Sequence, residues 1–152
     1  MAILRSEEKE TPSSLELKAG ATKELPAGPD TQIWQAVELA LISGERTAGT
    51  LPAEDSLLCR TPADEVQTLI DFLAELTAGK RDTVFFEPSE PSFEISFSRM
   101  HKGGIKVEAW LDAGNGNTGF YTWDAFGIRF YTNDELLVSF IEEARNEFFP
   151  LG

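Results

Sequence analysis

Two neighbouring segments of strict alternation constrain this chain more than anything else in it. Over residues 93–98, Phe93, Ile95 and Phe97 alternate with Glu94, Ser96 and Ser98; over residues 105–112, Ile105, Val107, Ala109 and Leu111 alternate with Lys106, Glu108 and Trp110. Successive side chains of a strand point to opposite faces, so each segment reads as a strand with one apolar and one polar face. Lys102-Gly103-Gly104 lies between them and supplies the turn of a hairpin.

Further strands are expected at residues 15–18, 33–42, 56–60, 83–87 and 126–131. In the second of these, Ile33, Val37, Leu39 and Leu41 lie on one face and Trp34, Ala36, Ala40 and Ile42 on the other, which reads as a central strand covered on both sides. The last strand is expected to bury Phe126, Ile128 and Phe130. Residues 19–30, rich in Gly, Pro and Ala, and residues 44–55 read as loops. Residues 1–12 are polar and aperiodic, so they read as a flexible arm ahead of a single domain over 13–152.

Two helices complete the set. Thr61-Pro62-Ala63-Asp64 offers a cap, a first-turn proline and an acid, and Val66, Leu69, Ile70, Leu73 and Leu76 then recur at helical spacing up to Gly79-Lys80-Arg81, giving a helix over about 62–78. Thr132-Asn133-Asp134-Glu135 repeats the capping signature, and Leu137, Phe140, Ile141, Ala144 and Phe148 share one face of a second helix over about 133–148. Strands that follow one another without intervening helices favour antiparallel pairing. The fold class is therefore α+β: a mainly antiparallel sheet with two amphipathic helices packed on one side.

Charge narrows the functional classes. The chain carries 26 acids against 13 bases, a net −13, and the excess falls after residue 29: residues 30–80 hold 9 acids and 3 bases, residues 81–152 hold 12 and 6. Such a field repels a phosphate backbone, whose affinity is built from lysine and arginine contacts, so direct nucleic-acid binding is not expected. The same field speeds encounter with a basic partner. No apolar run approaches the roughly 20 residues of a membrane span. The first ten residues carry acids where a targeting peptide avoids them, and the one cysteine, Cys59, cannot close an intrachain disulfide; both point to a cytoplasmic protein.

Catalytic constellations are sparse. Gly114-Asn115-Gly116-Asn117-Thr118-Gly119 matches the spacing of a dinucleotide-binding loop, but strand-like residues follow it where a helix is required, so it reads as a hairpin connection. Asp112, Asn115 and Asn117 miss the spacing of a calcium loop. The only histidine, His101, falls in the expected hairpin turn, far in sequence from Cys59. No metal site and no cofactor are expected. Glu87, Glu90 and Glu94 lie close together, yet Pro88 and Pro91 hold that stretch extended. Trp110 is the residue that draws notice: alternation sets it opposite Leu111 and beside Lys106 and Glu108, where an amphipathic ring is either covered by a helix or a second sheet face or, lying open and ringed by acids, suits a protein contact.

The order of these segments resembles the WapI-type immunity proteins. The resemblance covers about residues 15–149 and rests on TQIWQAVELAL with Trp34, then FFEPSEPSFEISF with Phe86-Glu87-Pro88 and Phe93-Glu94, a long hairpin and a closing helix. The chain departs from that layout by Ser89-Glu90-Pro91 ahead of Phe93 and by a long Gly/Asn loop after Leu111. The resemblance implies a small bacterial cytoplasmic protein, not an enzyme, that binds and inactivates a cognate toxin domain, usually a nuclease. Charge and resemblance together place the expected contact with a basic protein partner at Glu87, Glu90, Trp110, Asp112, Trp123 and Asp124. Two other readings stand beside it: a small-ligand or regulatory domain with an apolar pocket, and a hydrolase using Glu87, Glu90 or Asp112.

Overall fold

The computed structural model describes residues 1–49, 57–60, 64–90, 92–112 and 124–151. In chain order, strands β1 (Ala2–Arg5), β2 (Ser13–Ala27), β3 (Asp30–Ser43), β4 (Arg46–Gly49) and β5 (Leu57–Cys59) precede helix α1 (Glu65–Thr77); β6 (Thr83–Phe86), β7 (Phe93–Arg99), β8 (Ile105–Asp112), β9 (Ala125–Thr132) and helix α2 (Asp134–Phe148) follow. The class is α+β, and every strand pair is antiparallel. Where the alternation suggested one sheet, the strands divide between two. The first runs β1-β2-β3-β4, with β5 also on β3; the second runs β6-β7-β8-β9. Each sheet pairs strands that are near neighbours in sequence, and α1 falls at the point where the chain leaves one for the other.

Register explains the core. In the first sheet Ala2, Leu17 and Leu39 form one cross-strand row and Leu4, Leu15 and Leu41 the next. In the second, Phe86, Ile95, Ala109 and Ile128 form a row, and Val84, Phe97, Val107 and Phe130 another. These rows join Leu69, Ile70, Leu73 and Leu76 of α1 and Leu137, Phe140, Ile141, Ala144 and Phe148 of α2 in a single apolar cluster. Helix α2 lies on β1 and β2, and α1 packs on α2 and reaches β5 and β6.

Several expectations are corrected, among them the loop read over 44–55, where Arg46–Gly49 form β4 against β3. Residues 2–5 are not a flexible arm but the paired strand β1, with Ala2 and Leu4 fully buried; four residues are too few to show a period, and the strand is held by its neighbours. The loop read over 19–30 is mostly strand, because β2 continues to Ala27 along β3. Its outer edge is unpaired beyond Leu17 among the described residues, which accommodates Pro26. A register irregularity between Ala19 and Thr22 brings Gly20 so near β3 that a Cβ there would lie 3.0 Å from that of Ala36, and Gly28 turns the hairpin at φ 64°. Helix α1 begins at Glu65, capped by Asp64, whose Oδ1 accepts the N–H groups of Val66 and Gln67; the expected cap Thr61 with Pro62 and Ala63 lies outside the described residues. Phe126, expected in the core, is 41% exposed, since it sits where β9 enters the sheet.

Polar contacts lock the layers. Buried Thr132 donates its hydroxyl to the Arg5 carbonyl at 2.7 Å, and the Glu7 N–H donates to the Tyr131 carbonyl at 2.9 Å, joining β9 to the end of β1. From α2, Glu143 accepts the Ile3 N–H at 2.7 Å on the edge of β1, while Glu147 accepts the Ala19 N–H at 2.8 Å and the Met1 amino group. Arg99 donates to the Leu76 carbonyl in the last turn of α1 and, bidentately, to Asp134 at the start of α2. The hydrogen bond to Asp134 outweighs the burial of the guanidinium and raises its pKa. Arg99 sets a cation at the C-terminus of α1, and Asp134 itself sets an anion in the first turn of α2, each the charge that the helix dipole favours.

Phe97 is fully buried at the centre of the second sheet. Phe97→Ala is expected to destabilise the fold by about 3–5 kcal/mol, read as a shift of the urea midpoint at constant slope.

Burial opposes the charge of Glu147, but the hydrogen bonds from the Met1 amino group and the Ala19 amide prevail and hold its pKa below the ordinary 4.5. A carboxyl with a lowered folded pKa stabilises above its unfolded pKa, and that stability is lost as pH falls through the folded value. Glu147→Gln is therefore expected to cost about 1–3 kcal/mol at neutral pH, with the gap from the parent narrowing in thermal melts once pH drops below 4.5.

Candidate partner-binding face

In a four-stranded antiparallel meander, the ends of β6 and β8 lie beside the starts of β7 and β9. That rule alone gathers Glu87, Glu90, Asp112 and Asp124 at one end of the second sheet. The segment after β6 is fastened there. Glu65, in the first turn of α1, accepts both the N–H and the hydroxyl of Ser89 at 2.7 Å. The Ser92 N–H donates to the Glu90 carbonyl at 2.9 Å, and the Asp112 N–H to the Ser92 carbonyl at 3.0 Å. Trp123, together with the Gly/Asn loop that precedes it, lies outside the described residues.

Trp110 stands one step inside this acidic rim on the open face of the sheet, 43% exposed. Its register partners are Glu94 on β7 and Gly127 on β9. A Cβ at Gly127 would lie 2.4, 2.6 and 2.7 Å from the ring atoms Cε3, Cζ3 and Cδ2 of Trp110. Three such similar distances mean that the indole turns its face, not its edge, toward Gly127. The ring therefore lies flat on β9 in the room left by the missing side chain, with its other face outward.

The rest of the open face differs from what the sequence suggested. Glu108 pairs with Lys106 and with Arg129, each at 3.0 Å, and the Lys106 hydrogen bond with the two positive charges holds its carboxyl below the usual range. The centre of the face is thus internally neutralised, and the uncompensated acid sits at the rim. Two more aromatics, Phe85 at 61% and Tyr131 at 51% exposure, also look outward. Neither stands out in the sequence, although each alternates with buried neighbours, Val84 and Phe86 in one case and Phe130 and Thr132 in the other.

At the rim, burial first and the nearby Glu87 charge second raise the pKa of Asp112. Beside it the hydroxyl of Ser92 is buried with no hydrogen-bond partner among the described residues. A concavity of about 1000 Å³ lies elsewhere, along β1, the start of β2 and the start of α2, where Arg5, Lys9, Glu16 and Glu135 are among its walls. His101 is exposed in the β7–β8 turn. Among the described residues no three His, Cys, Asp or Glu side chains are grouped closely enough to hold a metal ion, and no helix is long and apolar enough to cross a membrane. No protein-family model matches the chain, and no curated protein matches it in sequence.

An acid whose folded pKa is raised binds protons more tightly when folded, so its ionisation destabilises the fold progressively above its unfolded pKa. Asp112→Asn is accordingly expected to raise the melting temperature at neutral pH, with the advantage vanishing below the ordinary value of 3.8. A lower melting temperature for this variant at neutral pH would contradict the electrostatic account of the rim.

Proposed function

We propose that the chain is a non-enzymatic binding protein whose acidic rim and Trp110 dock onto a basic protein surface. The observation that carries this reading is the gathering of Glu87, Glu90, Asp112 and Asp124, none of which has an ion-pair partner among the described residues, next to an outward-facing indole. Carboxylates that served the fold would be expected to hold a cation or an amide, as Glu108, Glu143 and Glu147 do. Asp112 instead is held against burial and like charge. A cost of this kind is understandable where the charge is kept for something outside the molecule.

The partner class follows from charge and from the resemblance to WapI-type immunity proteins. A nuclease toxin is basic where it grips phosphate, and an acidic inhibitor with complementary potential can occupy that surface. We therefore read this chain as an immunity protein for a basic, nuclease-like toxin domain, acting in the cytoplasm.

The test is binding kinetics against the basic protein recovered by pull-down, at low and at near-physiological salt. Reversing Asp112 and Asp124 to lysine is expected to slow association by about tenfold or more and to flatten its salt dependence. Trp110→Ala is expected mainly to speed dissociation, by roughly thirtyfold if the ring is a central anchor worth about 2 kcal/mol. Unchanged rates in both variants would show that this end of the sheet is not the interface. Failure to recover any partner would favour a small-ligand domain, with the concavity beside β1 as its site.

A further inference from the structure

At two places among the described residues an arginine lies over an aromatic ring and pairs with a carboxylate. The Arg81 guanidinium lies 3.9 Å above the Phe72 ring centroid and pairs with Glu75 at 3.0 Å. The Arg60 guanidinium lies 5.4 Å from the Phe149 ring centroid and pairs with Asp64 at 3.4 Å. The Trp110 site has the same two parts. Glu94 is the direct cross-strand partner of Trp110, so their Cβ atoms lie about 4.5–5.5 Å apart. Asp112, two residues on in β8, shares the open face. Among the described residues no arginine or lysine lies over this indole, and Glu94 has no ion pair.

We infer that the anchor of the partner is an arginine side chain stacked on the outer face of Trp110, its guanidinium forked onto Glu94. This rests on the reading of the rim as a surface for a basic protein, and it names the group recognised there. The ring is held flat over Gly127, so a stacking face is present before any partner arrives, and little freedom is lost on binding. A planar guanidinium can lie on an indole and reach a carboxylate at its edge in one geometry; a compact, strongly hydrated ammonium gains less from the ring. Lys106 and Arg129 already neutralise Glu108 in the middle of the sheet, so among the described residues of this open face the carboxylates without an ion pair lie at the Trp110 end. A nucleotide could stack on the same indole, but its phosphate would meet Glu94, Asp112 and Glu87.

The test is an NMR titration of the ¹⁵N-labelled full chain with three blocked tripeptides: Gly-Arg-Gly, Gly-Lys-Gly and Gly-citrulline-Gly. The Trp110 indole N–H is identified by its disappearance in Trp110→Phe. The arginine peptide is expected to shift this signal and the Gly127 amide saturably, with about two- to fivefold tighter binding than the lysine peptide. The uncharged citrulline peptide is expected to shift neither. Glu94→Gln is expected to bring the arginine peptide down to the lysine level. Gly127→Ala, which puts a methyl group where the ring rests, is expected to erase the preference, and circular dichroism checks that this variant is folded. Equal responses to arginine and lysine at Trp110, or shifts confined to the amides of Glu87, Asp112 and Asp124, overturn the stacked anchor and leave the basic-partner reading in place. No response to either cation at any of these residues overturns both.

Discussion

The seam between β1 and β9 is the constraint on which the rest of the structure depends. Each of these strands is the edge of its own sheet, and an edge presents backbone donors and acceptors that must find partners if they are to be buried. The hydroxyl of fully buried Thr132 on the Arg5 carbonyl and the Glu7 amide on the Tyr131 carbonyl meet that need from both sides. With the edges joined, two small meanders become one shell around α1 and α2. Neither sheet would otherwise cover its inner rows: Leu4, Leu15 and Leu41 in the first lie under α2, and Val84 and Phe86 in the second lie toward α1.

Carboxylates do two opposite kinds of work on this scaffold. Those of α2 are structural: Glu143 and Glu147 close open amides on β1 and on the irregular stretch of β2, and Glu147 has the lowered pKa of a group whose charge is satisfied. Those at the rim of the second sheet are not satisfied by the fold, and Asp112 has the raised pKa that burial and a like charge impose. The net −13 therefore has internal structure. Part of it stitches layers together, part cancels around Glu108, and a group of carboxylates without ion pairs among the described residues lies at one end of the second sheet.

Register matters for the face beside the rim. Trp110 and Gly127 form a cross-strand pair in which the small residue makes room for the large one, so the orientation of the indole is set by backbone register and not by a mobile loop. The anchoring of Ser89 to Glu65 ties the Glu87–Glu90 segment to α1 in the same way. A surface built from strand ends and a helix-tethered turn is presented in a fixed geometry, so the partner contact proposed for it would carry a reduced ordering cost.

The amino-acid sequence by itself determined the long-period features. The β7–β8 hairpin, the apolar faces of both helices and the α+β class all come from alternation, helical spacing and turn residues acting within a few positions of one another, whereas Thr132, which heads the capping signature, ends β9 and bonds Arg5, leaving Asn133 as the cap of α2. The amino-acid sequence also set Trp110 on the face opposite Leu111, with acids nearby in the chain, but left open whether that face is covered; the structure leaves it exposed. Tertiary structure decided what local patterning does not encode. Strand β1 and the outer half of β2 exist because pairing with a neighbouring strand, β2 in one case and β3 in the other, supplies hydrogen bonds that a four-residue or Gly/Pro-rich segment cannot gain from its own pattern. The split into two sheets, the exposure of Phe126 and the neutral centre around Glu108 depend on which strands become neighbours. So does the stacking of Trp110 on Gly127. These two residues are 17 positions apart in the chain, and their contact follows from the register of β8 against β9, which the sequence of neither strand specifies alone.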